Sequence, residues 1–107
     1  MGFLDFWRAP DMNRGVEEYQ NAKGAAVLLD VRSPEEYAEG HVPGSKNLPL
    51  QNLDEIGSVV ARKDAKLFVY CHSGVRSNRA VALLRGMGYT HASDIGGIAT
   101  YRGHMER

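Results

Sequence analysis

The chain has 107 residues, 43% of them hydrophobic and 24% charged, with 12 glycines and 4 prolines; this is the profile of one globular domain, not of a disordered or fibrous chain. Thirteen basic residues balance thirteen acidic ones, which leaves no basic footprint for nucleic acid and no lysine-rich cluster for an anionic membrane. A chain of this length buries roughly 65% of its unfolded surface, enough for a modest core and one shallow site but not for a large multi-element cleft.

Residues 1–10, MGFLDFWRAP, are read as an N-terminal aromatic extension and residues 11–107 as a single domain. Phe3, Leu4, Phe6 and Trp7 are expected to fold back onto the domain, with a contact for a partner or a second copy as the alternative. The segment has no positive n-region and Asp5 interrupts its apolar run, so it does not read as a signal peptide. Phe6 stands where the myristoylation pattern needs Ser or Thr. No segment has the roughly 18 to 20 apolar residues needed to cross a bilayer, so no membrane span and a cytoplasmic location are expected.

Asp11 or Asn13 offers a cap for a first helix, in which Met12, Val16 and Tyr19 recur at helical spacing until Gly24. Residues 25–31 are a short apolar run broken only by Asp30, the pattern of a strand buried on both faces. Ser33, Pro34 and Glu36 form a capping box with proline at the first helical position, and Gly40 ends that helix after barely two turns. Pro43-Gly44 signals a turn before a short strand at residues 46–48, which Pro49 stops. Asn52 with Glu55 reads as the start of another helix, with Leu53, Ile56, Val59 and Val60 on one face. Residues 66–70 form a second buried strand leading straight to Cys71. A helix follows over residues 77–87, with Ala80, Leu83, Leu84 and Met87 as its inner stripe and Gly88 after it. Residues 91–95 make a last strand before Gly96-Gly97 and a terminal helical turn. Strands alternating with helices predict an α/β fold, a doubly wound and mainly parallel sheet flanked by helices.

In such sheets, ligands bind beyond the carboxyl ends of the strands. Three of these ends carry unusual residues: Asp30-Val31-Arg32, Cys71-His72-Ser73-Gly74-Val75-Arg76-Ser77, and Asp94-Ile95-Gly96-Gly97. Cys71 is the only cysteine, so neither an intramolecular disulfide nor a thiolate zinc site can form within one chain, and the thiol is either a buried hydrophobe or a reagent. The four histidines lack tight metal-ligand spacing. A short loop with Gly74, running from the strand into a helix N-terminus, can aim several backbone N–H groups and the positive dipole end at one spot. Such a place suits a thiolate or a bound anion.

The run DVRSPEEYAEGHVPGSKNLP resembles the opening signature of rhodanese-like domains, CHSGVRS their active-site loop, and DIGGIATY their closing segment; the resemblance covers about residues 12 to 103. It implies the rhodanese fold and sulfurtransferase activity through a cysteine persulfide. Cys71 would be the sulfur-accepting nucleophile, and His72, Ser73, Gly74, Val75, Arg76 and Ser77 would form the cradle that binds substrate. A small-molecule sulfur donor and a thiol or cyanide acceptor are implied, with a protein donor or acceptor as the alternative, and no metal or organic cofactor. Related phosphatases and arsenate reductases use C-x-x-x-x-x-R, whereas here Arg76 follows only four intervening residues and Ser77 takes the phosphatase arginine position. A loop of this size suits sulfur better than a phosphoryl group.

Arg76 is read as a cation for the donor's sulfonate, and Arg79 as a surface residue. His72 stands where many members carry Arg and is expected to be exposed; Tyr101, where Trp is common, is expected in the core. Asp30 would be costly to bury unpaired, so it should accept hydrogen bonds from Arg32 or loop amides in a supporting role, and His41 should be structural. Two readings compete with the enzyme: a persulfide carrier in a sulfur relay, and a binding module that does no chemistry. Retention of Cys71 disfavours the second.

Overall fold

A computed structural model describes residues 9–107; Phe3, Leu4, Phe6 and Trp7 lie outside them, and so does the question of what they contact. The elements run α1 (Met12–Asn21), β1 (Ala26–Asp30), α2 (Pro34–Glu39), β2 (Lys46–Asn47), a 3₁₀ stretch (Leu50–Glu55), α3 (Ile56–Val59), β3 (Lys66–Cys71), α4 (Val75–Gly86), β4 (Ala92–Gly97) and a 3₁₀ turn (Ile98–Thr100). The four strands are parallel, in the order β2-β1-β3-β4. From β1 the chain passes to one edge and then returns to β3 on the other side, so the order reverses between β1 and β3. That is the doubly wound, parallel α/β fold expected. Among the described residues, no helix is long and apolar enough to cross a membrane.

Period-two alternation in β1 and β3 divides the core into two layers. Leu29, Leu67, Val69 and Cys71 face the layer of Leu53, Ile56, Ala80, Val81 and Leu84, whereas Leu28, Phe68 and Tyr70 face Met12 and Val16 of α1. Burying each of these Leu or Phe side chains contributes roughly 1.5–3 kcal/mol, which is why both strands read as nearly continuous apolar runs.

The local signals worked where a side chain meets its own turn. Asp11 caps α1 by accepting from the backbone N–H of Asn13 at 3.1 Å and of Arg14 at 3.3 Å. Ser33 and Glu36 close the capping box, Glu36 N to Ser33 Oγ at 3.2 Å and Ser33 N to Glu36 Oε1 at 3.0 Å. Three expectations are corrected. Asn52 caps nothing: its amide meets the Glu55 carboxylate at 3.2 Å, inside a 3₁₀ stretch whose backbone bends at Asn52 itself. Helix α4 begins at Val75 rather than Ser77, because Gly74 adopts φ +102° and turns the chain directly into the first helical residue. Leu83 is 44% exposed and lies off the inner stripe, where Val81 takes its place beside Ala80 and Leu84.

Candidate active site

The sheet's switch point brings together the carboxyl ends of β1 and β3. There Asp30 pairs in register with Tyr70, one residue before Cys71, and Cys71 pairs with Gly97 of β4. Cys71 is completely buried at the foot of the loop. Its sulfur accepts a hydrogen bond from the Gly74 N–H at 3.0 Å and donates to Ser77 Oγ at 3.4 Å. Among the described residues a single loop amide bonds the sulfur directly, where several were expected, and a hydroxyl from the first turn of α4 is the other partner.

The loop is held in place by a close approach of backbones. A Cβ on Gly97 would sit against the His72 carbonyl oxygen and 2.7 Å from Ser73 Cα, so only glycine lets β4 pass beneath the loop. The His72 carbonyl also accepts from the Ala99 N–H at 3.0 Å.

The residues singled out in the loop divide into two groups. His72, Ser73, Gly74 and Val75 line a cleft of about 610 Å³ with Asp94 and Thr100. His72 is exposed, as expected, and Val75 is 75% exposed. Ser77 points the other way: it is fully buried under the sulfur, with Oγ 2.7 Å from Asp94 Oδ1. Arg76 Nη1 and Nη2 meet Glu36 Oε1 and Oε2 at 2.7 and 3.0 Å, so the guanidinium faces a carboxylate of α2. That contact holds the Glu36 carboxyl well below the ordinary 4.5, at about 2; its burial works against the shift and the Ser33 N–H adds to it. Arg79 is exposed.

Asp30 and Arg32 are an internal brace. Arg32 Nε reaches both carboxylate oxygens at 3.1 Å, Nη2 bonds Oδ2 at 2.7 Å, and the Arg32 backbone N–H bonds Oδ1 at 2.9 Å. Nη2 also donates to the Gly40 carbonyl at 2.7 Å, tying the end of β1 to the end of α2. Burial opposes the charge on Arg32, but the bonds to Asp30 and its negative charge outweigh it and leave the guanidinium more firmly protonated than usual. His41 stacks on Tyr37 with ring centres 3.7 Å apart and bonds the Tyr37 carbonyl through Nδ1 at 2.8 Å. Tyr101 is half-buried against the α1-side core rather than inside it.

Sequence reasoning missed two partners. In the sequence Glu36 reads only as a cap residue, and Asp94 as a strand-end residue with no assigned function. The available signals were Ser77 just after the loop and a carboxylate on the neighbouring strand end, but their meeting depends on strand order.

Residues 14–104 match the rhodanese-like domain family. The chain is 42% identical over 71 residues to thiosulfate sulfurtransferase PspE of Escherichia coli (strain K12), covering 65% of this chain and 68% of that protein. It is 33% identical over 99 residues to the thiosulfate:glutathione sulfurtransferase of Homo sapiens, covering 80% and 84% of the two chains. A solved structure described as rhodanese with anions from E. coli superimposes with a TM-score of 0.73 and 36% identity, covering 78% of this chain and 99% of that one. A lone cysteine at the switch point of a parallel sheet, a glycine-held loop around it and a match over nearly the whole chain agree: this protein belongs to the rhodanese-like domain family.

Proposed function

We propose that the chain is a sulfurtransferase that takes a sulfane sulfur from thiosulfate, or a similar donor, and passes it to a thiol or cyanide through a persulfide on Cys71. The observation that carries this reading is the Cys71 sulfur at the foot of the loop, held by the Gly74 N–H and beside the N-terminus of α4. The Cys71 thiolate attacks the outer sulfur of thiosulfate, a new S–S bond forms, and the donor's S–S bond breaks with its electron pair leaving on sulfite. The persulfide that remains carries a terminal anionic sulfur, which N–H donors and a helix dipole stabilise. A thiolate or cyanide then attacks that terminal sulfur and frees Cys71. In this reading His72, Ser73, Gly74 and Val75 shape the entrance, and Arg76 supplies positive charge near a dianionic donor. The names of the two relatives as thiosulfate sulfurtransferases support the donor class.

Incubation with thiosulfate should raise the protein's mass by one sulfur, and cyanide should remove it. An adduct that persists in Cys71→Ala, or no adduct in the wild type, overturns the reading. Steady-state thiocyanate formation measured alongside separates an enzyme from a carrier: a stable persulfide with negligible turnover favours the carrier.

A further inference from the structure

Cys71 is completely buried in the free protein, so the groups that first meet its thiol proton are those of the protein itself. The structure provides a chain of partners. The thiol donates to Ser77 Oγ at 3.4 Å, and Ser77 Oγ donates to Asp94 Oδ1 at 2.7 Å. Ser77 has one hydroxyl hydrogen, and two carbonyls, those of Gly74 at 3.2 Å and Gly96 at 3.3 Å, compete for it. The carboxylate contact is the shortest and is charge-assisted, so the hydrogen goes to Asp94 and a Ser77 lone pair faces the thiol. Asp94 is itself fixed by the Gly96 N–H, which donates to Oδ1 at 2.9 Å.

The strand explains why Asp94 is there. Asp94 pairs with Val69 and so takes the face of the sheet covered by α4, where Ser77 lies; the register then shifts, Gly96 pairing with Tyr70, so that Ile95 is an extra residue. A bulge of this kind re-aims neighbouring side chains. Asp94 is half-buried and lines the 610 Å³ cleft, so the far end of the chain of bonds opens to solvent.

We propose that Ser77 and Asp94 form a proton exit from the Cys71 thiol to the cleft. The S–H bond breaks with its electron pair left on sulfur, the proton joins Ser77 Oγ, and the hydrogen that Ser77 held passes to Asp94 Oδ1. The carboxylic acid so formed releases its proton to water in the cleft, and the serine ends neutral. Ser77 touches the reacting atom; Asp94 acts through it. The other charged groups around the sulfur are engaged elsewhere or exposed: Arg76 on α4 with Glu36 on α2, Arg32 with Asp30 after β1, and His72 on the loop surface. This inference rests on Cys71 being the reacting group of the proposed function but not on the identity of the sulfur donor.

The test uses iodoacetamide as well as thiosulfate, since alkylation needs the same deprotonation and no sulfur chemistry. Asp94→Asn keeps an oxygen for the Ser77 hydroxyl and the Gly96 N–H but cannot take up a proton. It should slow alkylation by about a hundredfold near neutral pH, the lower end of what a positioned proton acceptor contributes. Ser77→Ala should do the same, and the double variant should be no slower than Ser77→Ala alone, because both substitutions cut one path. The deficit should narrow as pH rises and solvent base replaces the relay. The proposal is overturned if Asp94→Asn reacts as fast as the wild type or faster, or is slower by the same factor at every pH, which is the behaviour of a purely structural residue. If the wild type takes no sulfur from thiosulfate while the alkylation pattern holds, the donor assignment fails and the proton exit stands.

Discussion

Arg76 and Glu36, forty residues apart in the chain, are joined by two parallel hydrogen bonds that lock the start of α4 to α2. Fork-to-fork pairing of this type fixes direction as well as distance, which a lysine cannot reproduce. The Arg76 guanidinium is therefore held along a fixed line toward α2.

The charge and the tie can be separated. Arg76→Ala removes both, whereas Glu36→Gln keeps the positive charge and still offers Ser33 an acceptor for its cap bond. If the charge draws in an anionic donor, Arg76→Ala should raise the KM for thiosulfate severalfold with a smaller effect on kcat, and Glu36→Gln should leave KM near the wild-type value. Equal rises in KM for the two variants would assign Arg76 to anchoring alone.

The same pair sets part of the acid sensitivity. Glu36 has a folded value of about 2 against an ordinary 4.5, so it binds its proton less readily in the folded state. Its contribution to stability is then complete above pH 4.5 and is lost as pH falls toward 2. With the side chains about one-third exposed, solvent screening reduces that contribution to about 1 kcal/mol. Chemical denaturation at pH 7 and near pH 3 should show a smaller loss of stability on acidification for Glu36→Gln than for the wild type; identical losses would mean that the pair is stabilising in neither condition.

Gly97→Ala should damage the loop specifically. Its methyl would press on the His72 carbonyl and Ser73 Cα, both backbone, so the loop or β4 must move. Overpacking of this order costs about 1–3 kcal/mol, visible in a thermal melt. Loss of sulfur uptake in the folded fraction should exceed what the lower stability explains, and full uptake would show that the loop tolerates the displacement.

Tyr70→Phe probes the scaffold away from the sulfur. The buried phenol accepts from the Val42 N–H at 3.1 Å and donates to Ser45 Oγ at 3.3 Å. Burial first, and the negative charge of Asp30 second, push its ionisation far above the ordinary range, so it acts as a neutral hydrogen-bonding group at any working pH. Removing the oxygen leaves the Val42 N–H buried and unpaired, a cost of about 1–3 kcal/mol in denaturant titration. Sulfur uptake per folded molecule should be unchanged; a parallel fall in uptake would place Tyr70 in the site.

What the sequence by itself determined are features settled within a few residues of chain. The Ser33 cap, the two buried strands, and the place of Cys71 between a buried strand and a helix are written in neighbouring side chains, because a capping box and a continuous apolar run are both set within a few residues. The parallel α/β architecture follows from the alternation of buried strands with helices along the chain. The short-range signal failed at Asn52, where a glutamate three residues on suited a helix start as well as a 3₁₀ bend. Only the tertiary structure decided which distant groups meet around the loop that follows Cys71. Glu36 reaches Arg76 across α2, Asp94 reaches Ser77 through a bulge in β4, and Gly97 passes beneath His72. All three depend on strand order, and the two that involve β4 depend also on a one-residue shift in register. Such a shift changes which side chain faces which partner and leaves no mark on composition or periodicity.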